Sequence, residues 1–376
     1  MLEKLGARAL FVLGLIALSG LTLPVRADDL AAAIYVRGDT DHTTVVSPRA
    51  RVSQSFHEDT RVDVVYQADV WTSASVDVRA SASVRPIWEQ RDELNLNVAH
   101  AWDLTKLHAG YRVSLEPDYL SHGVSVGLSQ DLANKAATLD VNLRLLADTV
   151  GRAANPNFAR DVATYTGNVT YTQILDPNML MQLTYELSHL RGYQASPYRF
   201  VGIGPGATGF GCRGATVCLP EYVPHVRSRH ALSAMLRRAF GKYFSAGLTY
   251  RFYIDDWALT SHTGLAELGV NLAEGTLLSL RYRVYRQGSV DFYKKRYLEE
   301  DVQNSYRGYR TRDKELSSLT YHRIGLELEQ RMWSGEHAKS LMGSLSVAGN
   351  RYHYAQFAGL GSVLALEVSA SLLLEL

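Results

Sequence analysis

The chain has 376 residues, with 39 lysines and arginines against 38 aspartates and glutamates. This balance argues against a nucleic-acid-binding protein, which would show a basic excess or stripe. The 22 tyrosines are many for this length. Beyond the N-terminus, no segment is long and continuously apolar, so we expect no helical membrane span there.

The N-terminus has the pattern of a secretory signal peptide. Lys4 and Arg8 form a short basic region, residues 9–23 are apolar with few interruptions, and Ala27 ends a small-residue cleavage pattern. A transmembrane anchor is the alternative, but it needs about 20 apolar residues. We predict a signal peptide over residues 1–27, removed on export, and one barrel domain over residues 28–376.

After this segment, apolar and polar residues alternate along almost the whole chain. In one such segment Leu248, Tyr250 and Phe252 share one face, and Thr249 and Arg251 share the other. Successive side chains of a strand point to opposite faces, so one face fits lipid and the other fits a polar interior. The final strand alternates up to the C-terminal residue and therefore needs a partner strand and an apolar exterior.

Connections between the alternating segments differ in length. Short turns are expected at residues 57–60, 103–106, 131–135, 176–178, 241–242, 273–276 and 334–338, and longer loops at 72–90, 148–161, 191–227 and 288–317. Short turns on one side and long loops on the other are typical of outer-membrane barrels, whose short turns face the periplasm.

The sequence therefore predicts an all-β fold, a single antiparallel transmembrane up-and-down β-barrel. Counting segments gives about 16 strands, an even number that places both termini at the periplasmic side. About 14 strands is the alternative. The two weakest strands are the first two, near residues 31–38 and 44–55, because Pro48 interrupts the second.

Several stretches resemble an uncharacterised family of exported bacterial proteins, defined by a domain of unknown function. They are VDVVYQADVWTSASVDV from Val62 to Val78, YRFYIDDWALTSHT from Tyr250 to Thr263, RYRVYRQGSVDFY from Arg281 to Tyr293, and DKELSS from Asp313 to Ser318. The most specific part is the run from Asp256 to Thr263. Members of the family look like outer-membrane barrels, so the resemblance implies that fold. It implies no activity and no catalytic residues.

Strand parity predicts a charged inner face. The basic residues on it are Arg49, Arg51, Arg112, Arg144, Arg237, Arg251, Arg281, Arg283 and Arg323, and the acidic ones are Asp63, Asp69, Glu93, Asp140, Glu186, Glu267, Glu327, Glu329 and Glu367. One interpretation is a polar channel that sorts solutes by charge, with the later arginines forming an anion-attracting wall. The other is a network of paired charges that braces the wall or fills a narrow lumen. Both need a wet interior.

The long loop 191–227 contains the two cysteines of the chain. Cys212 and Cys218 lie close together in an exported protein, which predicts a local disulfide. The loop either stays outside as a recognition surface or folds inward as a constriction. Its glycine-rich run 202–214 is not followed by Lys-Ser or Lys-Thr, so it does not match a phosphate-binding loop.

Neither catalysis nor metal binding has a clear signature. Ser261 and His262 together suggest a hydrolase pair, but adjacent strand residues point to opposite faces and cannot contact each other. His322 shares the outward parity of His262, although the sequence leaves their strand register open. We predict no cofactor and no metal site.

These observations favour a porin-like passive channel in the bacterial outer membrane for small, anionic solutes. A second hypothesis is a surface-binding or structural barrel with a blocked lumen that works through its long loops. A third is an outer-membrane lipid-modifying enzyme. Expected partners are outer-membrane lipid, lipopolysaccharide and small solutes, without nucleic acid, and a homo-oligomer is compatible with the fold.

Overall fold

The computed structural model describes residues 28–73, 87–153, 155–207, 211–303, 308–335, 339–357 and 359–376. The predicted signal peptide, residues 1–27, lies outside this part of the chain. In the described ranges, no helix has the length and apolar character needed to cross a membrane.

Eighteen strands follow one another in the described residues. They are β1 Asp29–Asp39, β2 Thr43–Phe56, β3 Thr60–Ser73, β4 Ile87–Trp102, β5 Thr105–Glu116, β6 Tyr119–Leu132, β7 Ala137–Val150, β8 Arg160–Asp176, β9 Met179–Gly192, β10 Phe200–Ile203, β11 Val217–Pro220, β12 Val226–Phe240, β13 Phe244–Asp255, β14 Thr260–Ala273, β15 Thr276–Gln287, β16 Leu319–Trp333, β17 Ser340–Tyr354 and β18 Ser362–Glu375. A helix α1, Glu299–Gln303, and a 3₁₀ turn, Lys314–Leu316, lie between β15 and β16.

Sixteen of these strands form one closed antiparallel barrel. Each pairs with its neighbour in sequence, except that β9 pairs with β12 because β10 and β11 form a separate hairpin. The first and last strands close the barrel, with Asp29 opposite Glu375 and Asp39 opposite Ala365. The predicted all-β barrel of 16 strands is confirmed, and the alternative of 14 is wrong.

The two strands with the weakest sequence signal are both present. Pro48 lies inside β2, opposite Ile34 of β1. The pairing of β2 with β3 is interrupted between Val46 and Arg49, where proline has no N–H to donate. The strand tolerates this interruption because its other ladder residues remain paired on both sides.

The two ends of the barrel differ. The start of β1, the end of β18 and the facing strand ends of the pairs β2–β3, β4–β5, β6–β7, β8–β9, β12–β13, β14–β15 and β16–β17 lie at one end of the barrel, here called the turn end, and the opposite strand ends form the loop end. The longest loops, residues 193–225 and 288–318, are at the loop end, as predicted. Short connections at residues 40–42, 117–118 and 256–259 are there too, so the sorting by length is less complete than predicted. Adjacent antiparallel strands need only a tight turn at either end.

The outer surface of the barrel is apolar. Leu248 is 65% exposed, Ile324 58% and Leu366 57%, and all three lie on the outward parity of their strands. A soluble monomer rarely exposes a continuous apolar surface of this extent. The belt fits a lipid environment, in which closure also leaves no unpaired barrel edge.

Gly192 at the end of β9 provides a test of the loop-end geometry. Its φ is +126°, and a Cβ atom there would lie 2.2 Å from the Asp161 carbonyl oxygen. We expect Gly192→Ala to destabilise the folded barrel by about 1–3 kcal/mol, from backbone strain and the clash. The measurement is the guanidinium concentration at the midpoint of unfolding in lipid vesicles, followed by tryptophan fluorescence.

Gly38→Ala is the matched control, because nothing lies within 4 Å of a Cβ at that position. It should leave stability within about 0.5 kcal/mol of the wild type. Equal midpoints for the two variants would contradict the prediction.

Candidate functional site: the inner wall and its loop cover

The register places the predicted charged side chains on one face of the sheet. Arg237 lies opposite Gly247, Gly247 opposite Glu267, and Glu267 opposite Arg281. Residues in register share a face, and the same relation continues through Arg283 and Arg323. This face is the inner wall, because the exposed apolar residues occupy the other parity of each strand.

Most arginines on the later strands are paired with carboxylates. Arg281 Nε lies 3.0 Å from Glu267 Oε1, and the same guanidinium also contacts Glu327. The other pairs on this arc are Arg237–Glu267 at 3.3 Å, Arg251–Glu186 at 3.4 Å and Arg323–Glu367 at 3.2 Å. The interpretation as a paired network therefore describes this arc better than an unbroken arginine wall.

The opposite arc of the wall contains the same kind of pairing. Arg112 Nη2 lies 2.7 Å from Glu93 Oε2, and Arg51 Nη2 lies 3.0 Å from Asp63 Oδ1. Asp69 pairs with Arg91, a residue absent from the predicted set. These pairs are partly exposed, so each contributes little to stability. Their electrostatic effect is to neutralise most wall carboxylates locally.

Three arginines of the inner wall are different. Arg49, Arg144 and Arg283 are exposed, and among the described residues none has a carboxylate within 4.0 Å. Each lies seven positions from the residue at which its strand reaches the turn end. These residues are 56 for Arg49, 137 for Arg144 and 276 for Arg283. They therefore lie near mid-height of the wall.

Two carboxylates of the predicted acidic set also lack a basic partner within 4.0 Å in the described residues. They are Asp140 and Glu329, three and four positions from the turn-end residues 137 and 333 of their strands. The Asp140 carboxylate accepts a hydrogen bond from Ser129. Glu89, Glu116 and Asp148 have the same inward parity near the loop end and no ion pair among the described residues, so carboxylates outside the ion pairs lie on both sides of the three arginines.

Two recesses in the wall contain the unpaired arginines. One, of about 360 Å³, is lined by Arg49 and Arg144 together with Gln67, Asn95 and the ion pair of Arg112 with Glu93. The second recess has a volume of about 470 Å³, and its lining includes Glu267, Arg281, Arg283, Tyr321, Arg323 and Glu367. Guanidinium and amide groups that converge on one space are suited to anions, because each offers N–H donors.

The two long loops form a packed unit at the loop end. We call residues 193–225 and 288–318 the loop cover. Val201, Ile203 and Tyr297 are at most 2% exposed and form its small core. Ile203 forms a bridge with Tyr297, and the Tyr297 hydroxyl donates to the Phe292 carbonyl at 2.8 Å. The loops are therefore held to each other and not only to the barrel.

The cover folds inward against the wall. Val290 and Tyr293 belong to a buried cluster that also contains Leu319, Tyr354 and Val363. The last three residues lie at the loop-end part of the inner face. Val223 of the loop 191–227 belongs to the same cluster, so part of this loop also packs inward, and a constriction of the lumen stays a prediction.

Contacts of the cover extend across the barrel mouth. Tyr198 hydrogen-bonds Asp118, in the turn between β5 and β6. The next residue, Arg199, pairs with Asp313 at 3.2 Å, and Lys314 Nζ lies 3.7 Å from Asp41, between β1 and β2. A continuous series of contacts thus joins two separated sectors of the rim through both loops.

Glu221 is the buried polar centre of the cover. Its carboxylate accepts from Ser196 N at 2.7 Å and from Thr311 Oγ1 at 2.5 Å, and it pairs with Arg199 at 3.1 Å. Desolvation raises the pKa of the Glu221 carboxyl, and the repulsion from Asp313 adds to this, while Arg199 opposes it.

The two cysteines lie at the exposed part of the cover. Cys212 and Cys218 form a disulfide with Cα atoms 5.4 Å apart. Cys218 is in β11, opposite Gly202 of β10, and its side chain is exposed, whereas Val201 and Ile203 on the partner strand are buried. The loop therefore combines a buried base with an exposed cross-linked tip.

A second buried carboxylate anchors the cover to the wall. Asp255 Oδ2 accepts from the Arg227 guanidinium, and Asp255 Oδ1 accepts from the backbone N–H groups of Trp257 and Leu259 at 3.0 Å each. The Arg227 guanidinium also stacks over the Trp257 ring, 4.2 Å from its centroid. This turn brings Trp257 into the buried cluster of the cover.

The Ser–His candidate does not form a catalytic pair. Ser261 is buried on the inner face and His262 is exposed on the outer face, where it hydrogen-bonds Tyr250. His262 lies on β14 and His322 on β16, with β15 between them. The described residues contain no group of three or more His, Cys, Asp or Glu arranged to hold a metal ion.

Sequence reasoning missed the loop cover and the outward tyrosine–histidine contacts. The cover joins residues about 90 positions apart, such as Glu221 and Thr311. The alternation of apolar and polar residues gives no information about contacts over such a distance in sequence. The sequence did contain a signal for the tyrosine–histidine contacts, because each of these tyrosines shares the outward parity with a histidine on the next strand of the barrel.

Known structures define the class of protein. A bacterial polysaccharide outer membrane secretin superposes with a TM-score of 0.54 at 8% identity, covering 93% of this chain and 98% of that chain. CdiB from Acinetobacter baumannii has a TM-score of 0.50 at 10% identity, covering 91% of this chain and 60% of that chain. OprD from Pseudomonas aeruginosa has a TM-score of 0.44 at 10% identity, covering 93% of this chain and 97% of that chain. The first two likenesses concern the fold alone, which is that of outer-membrane β-barrels.

The family follows from the sequence match. Residues 74–344 match the family described as Protein of unknown function (DUF3570), and the chain belongs to it. The expected resemblance to a family with a domain of unknown function is thereby confirmed. The sequence has no significant match among curated proteins.

The buried carboxyl of Glu221 predicts a pH-dependent loop cover. Because its pKa is raised in the folded protein, the folded cover binds the proton more tightly than the unfolded loops do. This contribution to stability is present below the ordinary glutamate pKa of 4.5 and is lost as pH rises through the raised pKa. We expect limited proteolysis of the cover to accelerate as pH rises above the ordinary glutamate pKa of 4.5, after correction for protease activity.

Glu221→Gln should flatten this pH dependence. The control is Glu300→Gln, an exposed residue of the same cover, which should behave like the wild type. A proteolysis rate that falls as pH rises would refute the assignment to Glu221.

Proposed function

We propose that this protein is a passive outer-membrane channel that favours small anionic solutes and is restricted at its loop end by the loop cover. The observation that carries the proposal is the mid-height position of Arg49, Arg144 and Arg283, exposed on the inner wall without carboxylate partners among the described residues. A recess with such groups attracts anions from a water-filled lumen.

The pairing of the other charges strengthens this preference. Wall carboxylates such as Glu93, Glu267 and Glu367 are held by arginines, so they repel a passing anion less than free carboxylates would. Arg283 also lies opposite Arg323 in register. Arg323 pairs with Glu367, so Arg283 offers the unpaired guanidinium of this recess, whose planar N–H donors suit a carboxylate or phosphate.

The cellular placement belongs to the same proposal. Export through the signal peptide of residues 1–27, followed by cleavage, would leave residues 28–376 as the barrel. The loop end then faces the exterior and the turn end the periplasm, as in other outer-membrane barrels. The cover narrows the external entrance, because its residues pack against Leu319, Tyr354 and Val363 of the wall.

A second candidate function is recognition at the cell surface with a blocked lumen. The observation that favours it is the loop cover itself, which contacts separated sectors of the rim and presents an exposed disulfide-linked tip. The two candidates differ in conductance, which the channel requires and the blocked barrel lacks.

Replacement of Arg144 and Arg283 tests the channel. A unit charge about 6 Å from an ion in water contributes about 0.7 kcal/mol, a factor of about three in local ion concentration. We expect Arg144→Gln/Arg283→Gln to lower the anion-to-cation permeability ratio by about threefold or more, read from the reversal potential across a planar bilayer under a salt gradient.

The matched control is Arg238→Gln, because Arg238 is exposed on the outward face near the turn end. It should leave the reversal potential unchanged. A wild-type barrel that is folded but shows no discrete conductance would remove the channel proposal and favour the blocked barrel.

Loosening of the cover tests its role as a restriction. Tyr297 joins the two loops, and its truncation in Tyr297→Ala leaves a cavity in the core of the cover that costs about 3–5 kcal/mol. We expect a larger single-channel conductance or a larger open fraction, with the same strand content by circular dichroism. Tyr165→Ala, at an exposed outward position, is the control, and identical conductance in both variants would show that the cover does not limit flow.

A further inference from the structure

The outer surface carries four tyrosine–histidine pairs of the same geometry. The Tyr hydroxyl lies 2.7–2.8 Å from His Nδ1 in each of them, and the pairs are Tyr111–His122, Tyr185–His230, Tyr250–His262 and Tyr282–His322. Every pair joins two strands that are connected at the loop end. The repetition indicates a shared role at one level of the barrel.

The pairs have the same position in the sheet. Tyr250 lies opposite Gly264, two residues beyond His262, and Tyr282 lies opposite Ile324, two residues beyond His322. Each pair is thus a diagonal contact between neighbouring strands, a separation that aromatic side chains can span. The histidines are two to four positions from the loop-end limit of their strands, in the loop-end part of the outer surface.

Two of the pairs adjoin unpaired arginines. Arg286 lies directly opposite His262, and Arg351 lies directly opposite His322. We call His262, Arg286, His322 and Arg351 the basic outer patch. Both arginines are exposed, and in the described part of the chain neither has a carboxylate within 4.0 Å.

The outward strand positions around the patch contain no negative charge among the described residues. Outward positions in the loop-end halves of β13 to β17 hold no aspartate or glutamate among the described residues. His353 adds another basic side chain on β17, opposite Thr320. The patch spans four adjacent strands, about 15 Å at ~4.8 Å per strand.

The two ends of the lipid-facing belt are chemically different. At the turn end the belt is bordered by exposed Trp102, Phe244 and Trp333, which are 47–53% exposed. Over β14 to β17 the loop end has arginine and histidine instead. An arginine beside lipid is costly unless it meets a polar or anionic headgroup, so two arginines close together at the loop-end border favour an anionic headgroup as a neighbour.

We propose that the basic outer patch is a binding site for the phosphorylated headgroup of lipopolysaccharide in the outer leaflet. Arg286 and Arg351 bind phosphate through paired N–H donors. The tyrosine hydroxyls hold the rings of His262 and His322 by their Nδ1 atoms, and a hydroxyl that donates to Nδ1 leaves the Nε2–H free to donate outward. Charge complementarity selects this partner over neutral lipid.

The test measures lipid binding by the full-length protein produced in an outer membrane and purified in detergent. Native mass spectrometry compares bisphosphorylated lipid A, dephosphorylated lipid A and phosphatidylglycerol as probes. We expect the wild type to bind bisphosphorylated lipid A in preference to both others. Arg286→Gln/Arg351→Gln should weaken that binding by about tenfold or more, since two charge-assisted contacts are removed.

Two controls separate this effect from misfolding and from general charge. Arg238→Gln removes an exposed outward arginine near the turn end and should bind lipid A like the wild type. Heat-modifiable migration reports whether the double variant is folded, and His262→Gln/His322→Gln provides a second variant with both arginines intact, expected to weaken binding less. Equal binding of lipid A by the folded arginine double variant and the wild type, or equal binding of phosphatidylglycerol and lipid A by the wild type, overturns the proposal.

Discussion

Hydrogen bonding between β1 and β18 is the constraint on which the rest of the molecule depends. The two strands pair over eleven residue positions, from Asp29 opposite Glu375 to Asp39 opposite Ala365. Without this pairing the sheet would have two open edges, each with a row of unsatisfied backbone groups that lipid cannot hydrate. Closure therefore permits the apolar outer surface. It also separates an inside from an outside, so that alternate residues of each strand face the lumen or the exterior.

Closure also brings the charges of the inner wall close together. Pairs such as Arg251–Glu186 and Arg323–Glu367 connect strands that are not neighbours, since β12 separates the first pair and β17 the second. Such contacts arise because side chains converge on the inside of a curved sheet. In the proposed channel, the mid-height arginines outside this network are the charges that attract an anion.

The loop cover is a small folded unit with its own core and its own polar centre. Tyr297 supplies the apolar contact between the loops, and Glu221 supplies the hydrogen bonds. A buried carboxylate that is fully hydrogen-bonded specifies one arrangement of the chain segments around it. The cover therefore has a defined structure without being part of the barrel ladder.

Local chemistry in the sequence was sufficient for the architecture. The alternation of apolar and polar residues, as in Leu248, Thr249 and Tyr250, was enough to predict the strands and to assign each residue to the outer or inner face. This is because the two-residue period of a strand is a local property of the backbone. The same rule assigned Arg144 and Arg283 to the inner face and separated Ser261 from His262. Only the tertiary structure decided which charges are paired, that Glu221 meets Thr311, and that Arg286 and Arg351 stand beside outward histidines. Those facts depend on register and loop packing between residues distant in sequence, which closure of the barrel sets and no local pattern encodes.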